Sequence, residues 1–272
     1  MNYTVLITGS TEGIGAATAI EFAKRHYSVH ILGRNKTKGE KVLEQLQSYN
    51  PEGNHLFFSA DLSVKADVKR FLDNYLKEQS SLDILILNAG IHPKSNTLSR
   101  DGIDITFSIG YISRYMFAVR LNKLLSASKL GKVIHINGSV IGKIHFDELS
   151  NPRYNKMISV WQNSIGSALL VSNWKTFTNT NVEHIHWNPG IVNTQTVKSQ
   201  SKVVQLLSKA LGMVEANKAG ECIASFVTEN SEKNIGGNFY SKGKLKKKPK
   251  LHSDKALFKK LIEYSESFTN IN

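Results

Sequence analysis

The stretch Tyr3-Thr4-Val5-Leu6-Ile7-Thr8-Gly9-Ser10-Thr11-Glu12-Gly13-Ile14-Gly15-Ala16-Ala17 decides how the rest of the chain is read. It opens with a β-branched, apolar run, passes three glycines and enters an alanine-rich segment of helical period. Between a strand and a helix each glycine has a physical use. Gly9 permits the tight turn, Gly13 lets the backbone approach a pyrophosphate, and Gly15 lets helix and sheet pack closely. The free N–H groups and partial positive charge of the helix N-terminus then suit phosphate. Glycines alone would be weak evidence, but this placement predicts a dinucleotide site.

Outward from that stretch, short β-branched runs alternate with longer helical ones. Strands are expected at residues 3–8, 29–32, 56–59, 84–88, 133–137 and 182–187, with a short last one near 238–240. Helices are expected at 13–25, 38–49, 63–79, 106–128, 157–177 and 215–229. The run Ile84-Leu85-Ile86-Leu87 is apolar at every position, as a strand covered on both faces must be. The alternation predicts an α/β fold: a single-domain, Rossmann-like, doubly wound parallel sheet of about seven strands. Residues 1–241 form that domain in this reading, and 242–272 a basic segment ending in a helix that docks on it. Residues 192–214 are longer than a turn and would overhang the ligand crevice as a lid.

The chain has 272 residues, 40% hydrophobic and 21% charged, which is enough for a sizeable core and argues against disorder. No apolar run approaches the roughly 18 residues of a membrane span. Cys222 is the only cysteine, so a disulfide framework is excluded and a reducing, cytoplasmic setting is expected, with no leader segment ahead of the first strand. The net charge of +13 is concentrated: residues 242–260 hold nine lysines against one acid, Asp254, which leaves +5 elsewhere. Without interleaved aromatics this reads as a solvated run, and no nucleic-acid partner is expected. Leu257, Phe258, Leu261 and Ile262 recur at helical spacing, which favours docking on the chain's own domain over contact with a membrane surface.

Further motifs follow the glycines. Asp61-Leu62 comes after the third strand, Asn88-Ala89-Gly90 after the fourth, and Pro189-Gly190 with Thr194 after the sixth. With Thr8-Gly9-x-x-x-Gly13-x-Gly15 they resemble the short-chain dehydrogenase/reductase family nearly end to end. Within it, Asp101-Gly102, Ile144-His145-Phe146 and Gly236-Gly237-Asn238-Phe239-Tyr240 resemble the retinol-dehydrogenase-like branch. The resemblance implies a nicotinamide dinucleotide held by Thr8, Gly9, Ser10, Thr11, Gly13, Ile14 and Gly15. Asp61 and Leu62 would lie at the adenine. Asn88, Ala89 and Gly90 would line the cofactor, and Pro189, Gly190 and Thr194 would meet the nicotinamide. Similar proteins often pair through the fourth and fifth helices, so a homodimer is the corresponding expectation.

Charge distinguishes the two dinucleotides. An acid ending the second strand selects the free ribose hydroxyl of NAD(H), whereas a basic residue accommodates the 2′-phosphate of NADP(H). Here Gly33 stands at the acid's place and Arg34 follows, which favours NADP(H); Glu12, near the same phosphate, pulls the other way.

The catalytic positions depart from the family. Its tyrosine, with a free pKa of about 10, protonates the substrate oxygen with help from a lysine one helical turn on. Its serine orients the carbonyl, and an asparagine on the fourth helix holds a relay water. Aligned on that pattern, Trp161 stands at the tyrosine, Ile165 at the lysine and Gly110 at the asparagine; Ser139 is retained. Trp161, Ile165, Ala168 and Leu169 make an apolar stripe instead. Tyr240 and Lys244, the one Tyr-x-x-x-Lys spacing, lie far along the chain from that helix. Tyr154, His145 and His92, on loops expected to reach the crevice, are the candidates to replace the missing acid.

Two readings follow. The first is an oxidoreductase of altered mechanism acting on an unidentified small molecule. Its acceptor would be already polarised, such as an iminium facing Trp161, and orientation alone can contribute roughly 7–11 kcal/mol in favourable cases. The second is a catalytically inactive nucleotide-binding protein acting as a scaffold or regulator.

Overall fold

The computed structural model describes residues 3–91, 93, 95–153, 155–193 and 213–271. The first half alternates strand and helix: β1 (Thr4–Thr8), α1 (Gly13–Lys24), β2 (Ser28–Gly33), α2 (Lys36–Tyr49), β3 (Leu56–Ser59), α3 (Lys65–Glu78) and β4 (Ile84–Leu87). The fourth helical segment is not the single helix expected over 106–128. It starts as a short turn, α4 (Ile105–Phe107), widens into a π turn at Ser108–Ile112 and continues as α5 (Ser113–Ser126). Then come β5 (Lys132–Ile136), α6 (Lys156–Thr178), β6 (Glu183–Asn188), β7 (Val192–Asn193), β8 (Val214–Glu215), α7 (Ala216–Glu229), β9 (Phe239–Ser241), β10 (Lys244–Lys246) and α8 (Lys255–Thr269).

The main sheet runs β10-β9-β6-β5-β4-β1-β2-β3, parallel throughout except for the antiparallel β9–β10 hairpin. It has eight strands rather than about seven. β1 lies between β2 and β4, so the strand order reverses there and leaves a crevice beyond the carboxyl ends. Successive strand side chains point to opposite faces. Leu6, Leu32, Leu85, Leu87 and Val133 enter the core under α3, α5, α6 and α8. Val5, Ile7, Ile31, Ile84, Ile86 and Ile134 enter the core under α1, α2 and α7. This two-sided burial is why β1, β2, β4 and β5 are buried at every position.

α1 and α7 touch closely, because Gly220 brings its backbone where a Cβ would lie 2.6 Å from the Ala17 carbonyl carbon. At the far edge, β10 pairs Leu245 with Tyr240, and α8 buries Leu261 and Ile262 in the core shared with α5 and α6. Tyr111 of the π turn and Ser265 of α8 hydrogen-bond at 3.0 Å, and the Lys65 ammonium donates to the Phe268 carbonyl at 2.6 Å. Among the described residues no helix is long and apolar enough to cross a membrane. β7 and β8 pair in parallel as Val192–Val214 and Asn193–Glu215, so the two ends of the expected lid are held together. The lid's interior, Thr194 included, lies outside the described residues.

Candidate cofactor and reaction site

The β1–α1 turn is built as its glycines predict, with Gly9 and Gly13 at φ +65° and +60°. A Cβ on Gly9 would lie 2.8 Å from Ala89 Cα; one on Gly15 would collide with the Gly9 carbonyl and lie 2.6 Å from Asn88 Nδ2. The turn is tied to β4 and β2. Asn88 Nδ2 donates to the carbonyls of Thr8 at 3.1 Å and Gly9 at 2.9 Å. The Thr8 hydroxyl accepts from the Asn88 and Ala89 N–H groups, both at 3.1 Å. Buried Ser10 donates to the Ile7 carbonyl at 2.7 Å and accepts from Leu32 N–H at 3.0 Å. No side chain caps the first turn of α1, so its N–H groups are left for an anion. The half-buried Thr11 and Ile14 lie on this same turn. These residues fit a dinucleotide pyrophosphate: the glycines let the turn close on Ala89 and Asn88, and the first turn of α1 that follows has no side-chain cap.

At the end of β2, Gly33 carries no side chain, and a Cβ there would lie 2.6 Å from Thr11 Cγ2, so a larger residue would require the Thr11 side chain to move. Arg34 is exposed, with Nη1 3.7 Å from Asp61 Oδ2. Glu12, the residue opposing a 2′-phosphate in the sequence argument, is held by the Lys38 ammonium at 2.6 Å. Burial would raise the Asp61 pKa, but hydrogen bonds from Ser63 and the Arg34 charge outweigh it and hold the carboxyl below its ordinary value. Leu62 beside it is buried.

On the other side of the switch point, Pro189 is buried and Gly190, at φ +79°, donates its N–H to Asn188 Oδ1 at 2.7 Å. Lys242 lies alongside: its N–H donates to the Asn188 carbonyl at 2.9 Å, and its Cε occupies space 2.5 Å from where a Gly190 Cβ would be. Gly90 is exposed at the end of β4.

The four catalytic positions are not brought together as an acid–base set. Ser139 is exposed in the loop after β5, and Trp161 is half-buried beside Gly142. Ile165 is completely buried in the core with Leu169. Gly110 sits in the π turn, and a Cβ there would collide with the Asn163 amide of α6. Reciprocally, a Cβ on Gly166 would collide with the Tyr111 ring. The π turn and α6 thus interlock, Asn163 into Gly110 and Tyr111 into Gly166. An amide fills the place over residue 110, but it is carried by α6.

Of the loop residues considered as substitute acids, the structure describes His145. The His145 backbone N–H donates to Gln162 Oε1 at 2.6 Å, and its ring faces Glu148 at 3.8 Å. Tyr154 and His92 lie outside the described residues. Tyr240 packs on Phe226, 4.6 Å between ring centres, in the core under α7. Burial raises the Tyr111 and Tyr115 pKa values far above the ordinary phenol range, and both hydroxyls point to the C-terminal segment.

Two nearby features escaped the sequence reading. Arg114 of α5 is almost fully buried and donates through Nη2 to the carbonyls of Ala89 and Ile136, both at 2.9 Å. Its Nε and Nη1 have no partner among the described residues. Burial pushes its pKa down to about 9, which still leaves it charged at neutral pH. The second is a chain of buried imidazoles: His135 of β5 and His184 of β6 meet at 2.9 Å, and His184 stacks on Trp174. Burial lowers the pKa of His184 and His186 to about 3 and that of His135 well below its ordinary value. These rings are neutral. Among the described residues no group of three or more acidic, histidine or cysteine side chains could hold a metal ion.

Residues 3–154 match the family model described as short chain dehydrogenase. The chain belongs to the short-chain dehydrogenase family. It is 31% identical over 197 residues to "Oxidoreductase AN1596" of Emericella nidulans, covering 71% of this chain and 59% of that one. To human "Retinol dehydrogenase 12" it is 28% identical over 201 residues, 72% of this chain and 64% of the relative. The chain therefore spans about three fifths of the length of these curated relatives. A crystal structure of an uncharacterized protein from Mycobacterium paratuberculosis superposes over 99% of this chain and 94% of its own, with a TM-score of 0.73 and 21% identity. That likeness extends the shared fold through the C-terminal segment, and the relatives support the retinol-dehydrogenase-like branch.

Proposed function

We propose that the chain is an NADP(H)-dependent oxidoreductase that works without the tyrosine–lysine acid of its family. The observation that carries this reading is the closure of the glycine turn on Asn88 and Ala89, a geometry with no use to a simple strand–helix connection. In this reading Thr8, Gly9, Ser10, Thr11, Gly13, Ile14 and Gly15 surround the pyrophosphate. Asp61 and Leu62 border the adenine. Asn88, Ala89 and Gly90, with Pro189, Gly190 and Thr194, border the nicotinamide. Arg34 and Lys38 face the 2′-phosphate, and Gly33, which brings no carboxylate to the end of β2, supports NADP(H) over NAD(H).

When bound, the nicotinamide supplies a hydride. The chain holds and orients the two reactants: the helix N-terminus fixes the phosphates, the indole of Trp161 forms an apolar wall that excludes water, and Ser139 offers a hydroxyl to the acceptor. No side chain at positions 161 or 165 can deliver a proton, so the acceptor must be one that solvent can protonate or that needs no proton.

A second reading, an inactive nucleotide-binding scaffold, is favoured by one observation: Ile165, at the lysine position, belongs wholly to the core. Fluorescence titration with NADPH and NADH, followed by NADPH consumption against carbonyl and imine panels, separates the two. The oxidoreductase reading expects NADPH to bind about tenfold tighter than NADH, a difference of roughly 1.4 kcal/mol, and to be consumed. Tight binding without turnover supports the scaffold, and no binding of either nucleotide removes both readings.

A further inference from the structure

A buried guanidinium without a carboxylate is an expensive thing to keep, because desolvation disfavours a charge that nothing neutralises. Arg114 is such a group. Among the described residues Nη2 alone is used, on two backbone carbonyls, while Nε and Nη1 have no partner. Those carbonyls belong to Ala89, in the segment after β4, and to Ile136, at the end of β5. Tying two strand ends together needs a hydrogen-bond donor and does not need a charge. The two histidines that feel its charge, His135 and His186, are held neutral mainly by burial, so neither offsets it.

The position matters as much as the charge. In the sheet order, β2 and β1 carry the features suited to the 2′-phosphate and pyrophosphate, and β4, β5 and β6 form the opposite half of the crevice. Arg114, four residues after Gly110, is bonded to that second half where β4 and β5 end, at Ala89 and Ile136. We propose that Arg114 is the fixed positive charge of the reaction site, so that the site favours the neutral, reduced nicotinamide over its cationic, oxidised form. This rests on the dinucleotide reading above and goes beyond it, because it assigns a direction and an acceptor class. A fixed cation disfavours an acceptor that arrives as an iminium. It favours a carbonyl that takes hydride on carbon, carries the displaced π pair on oxygen and is then protonated by solvent. Arg114 is a positioning and electrostatic residue here, since it reaches the site through Ala89 and Ile136.

The test is the ratio of dissociation constants for NADP⁺ and NADPH, measured by fluorescence or calorimetry on the full chain. Two unit charges several ångströms apart in a medium of intermediate dielectric interact strongly enough to shift such a ratio by about tenfold or more. The wild-type protein is expected to bind NADPH at least about tenfold tighter than NADP⁺, and Arg114→Lys to keep most of that preference. Arg114→Gln, which retains an N–H donor but no charge, is expected to bring the ratio within about threefold of unity. Arg114→Met serves if the glutamine variant does not fold, since it leaves no donor unpaired. A merely structural role would weaken both forms alike and leave the ratio unchanged. A wild-type ratio near unity, or an unchanged ratio in the uncharged variant, overturns the proposal. Failure of both forms to bind overturns the dinucleotide reading itself, and the role of Arg114 with it.

Discussion

The two halves of the crevice have been built under different constraints. Around β1 and the end of β4, the glycines of the turn are small because backbone lies against them: Gly9 against Ala89 Cα, Gly15 against the Gly9 carbonyl. Around the π turn, α5 and α6, the small residues are small because side chains lie against them, Asn163 on Gly110 and Tyr111 on Gly166. The first arrangement leaves backbone donors free for a ligand, and the second uses the same residue type to close a protein–protein contact within the core. A glycine therefore says nothing about function until the atom it makes room for is known. The contrast also explains how one half can keep its family pattern while the other departs from it. The nucleotide half is tied by Asn88, Thr8 and Ser10 side chains that hydrogen-bond to main chain, and the reaction half is interlocked by the packing of Asn163 and Tyr111.

Acid should separate the halves most strongly. His30 in β2 is pushed down to about 4 by burial and by neighbouring His55, while His184 and His186 fall to about 3 and His135 lower than its ordinary value. Each folded pKa lies below the unfolded value of about 6.5, so the unfolded chain takes up more protons as pH falls. Stability is thus complete above about pH 6.5 and is lost on descending toward the folded values. Each such histidine forfeits up to about 1.4 kcal/mol per pH unit, so four of them amount to roughly 5 kcal/mol between pH 7.5 and 5.5. Urea unfolding at the two pH values measures the total. Hydrogen exchange should show protection lost first in β5 and β6, which hold three of the four rings; uniform loss across the sheet would mean the halves open together.

Restoring the family's lysine comes next. Ile165 is completely buried in the hydrophobic core that also holds Leu169. Ile165→Lys should therefore lower stability by about 3 kcal/mol or more, because an unpaired ammonium is driven into the core. Thermal unfolding reads this directly. A variant as stable as the parent, with raised ketone-reductase activity alongside Trp161→Tyr, would mean that the lysine reaches the crevice and that the reaction half is a near copy of its family's.

The sequence carried the fold because burial on both faces leaves a pattern that survives without tertiary knowledge: β1 to β6 lie within one or two residues of the apolar runs that announced them. β10 was hidden in the lysine run, since Lys244-Leu245-Lys246 offers one apolar side chain. Its signal was the preceding Lys242-Gly243, both at positive φ (+49° and +76°), the two-residue turn that hairpins prefer. The glycine turn was legible because its ligand chemistry is backbone chemistry, local in sequence. Arg114 and Asn163 were not, because a buried arginine inside Arg114-Tyr115-Met116-Phe117 reads as a surface charge until the carbonyls it meets, more than twenty residues away in each direction, are known. Nor does anything local mark Asn163 as the occupant of the space over Gly110, which lies in a different helical segment.

The smallest effect is the most diagnostic, because it applies one chemical change to both halves. Gly15→Ala places a methyl against the Gly9 carbonyl, Ser10 Cα and the Asn88 amide, the first two being backbone that is itself hydrogen-bonded. Gly110→Ala places the same methyl against the Asn163 side chain, which supplies its nearest neighbours. Overpacking of this kind costs about 1–3 kcal/mol, and the two variants should lose similar stability in denaturant melts. They should differ in what relieves them. Asn163→Ala, by vacating the space, should recover most of the loss from Gly110→Ala, giving a coupling energy of about 1 kcal/mol in a double-mutant cycle, and should do nothing for Gly15→Ala. Nucleotide binding should divide the same way, weakened at least tenfold by Gly15→Ala and little changed by Gly110→Ala. If Asn163→Ala brings no recovery, the π turn is held by its own backbone, and the distinction between a half closed by main chain and a half closed by side chains does not hold.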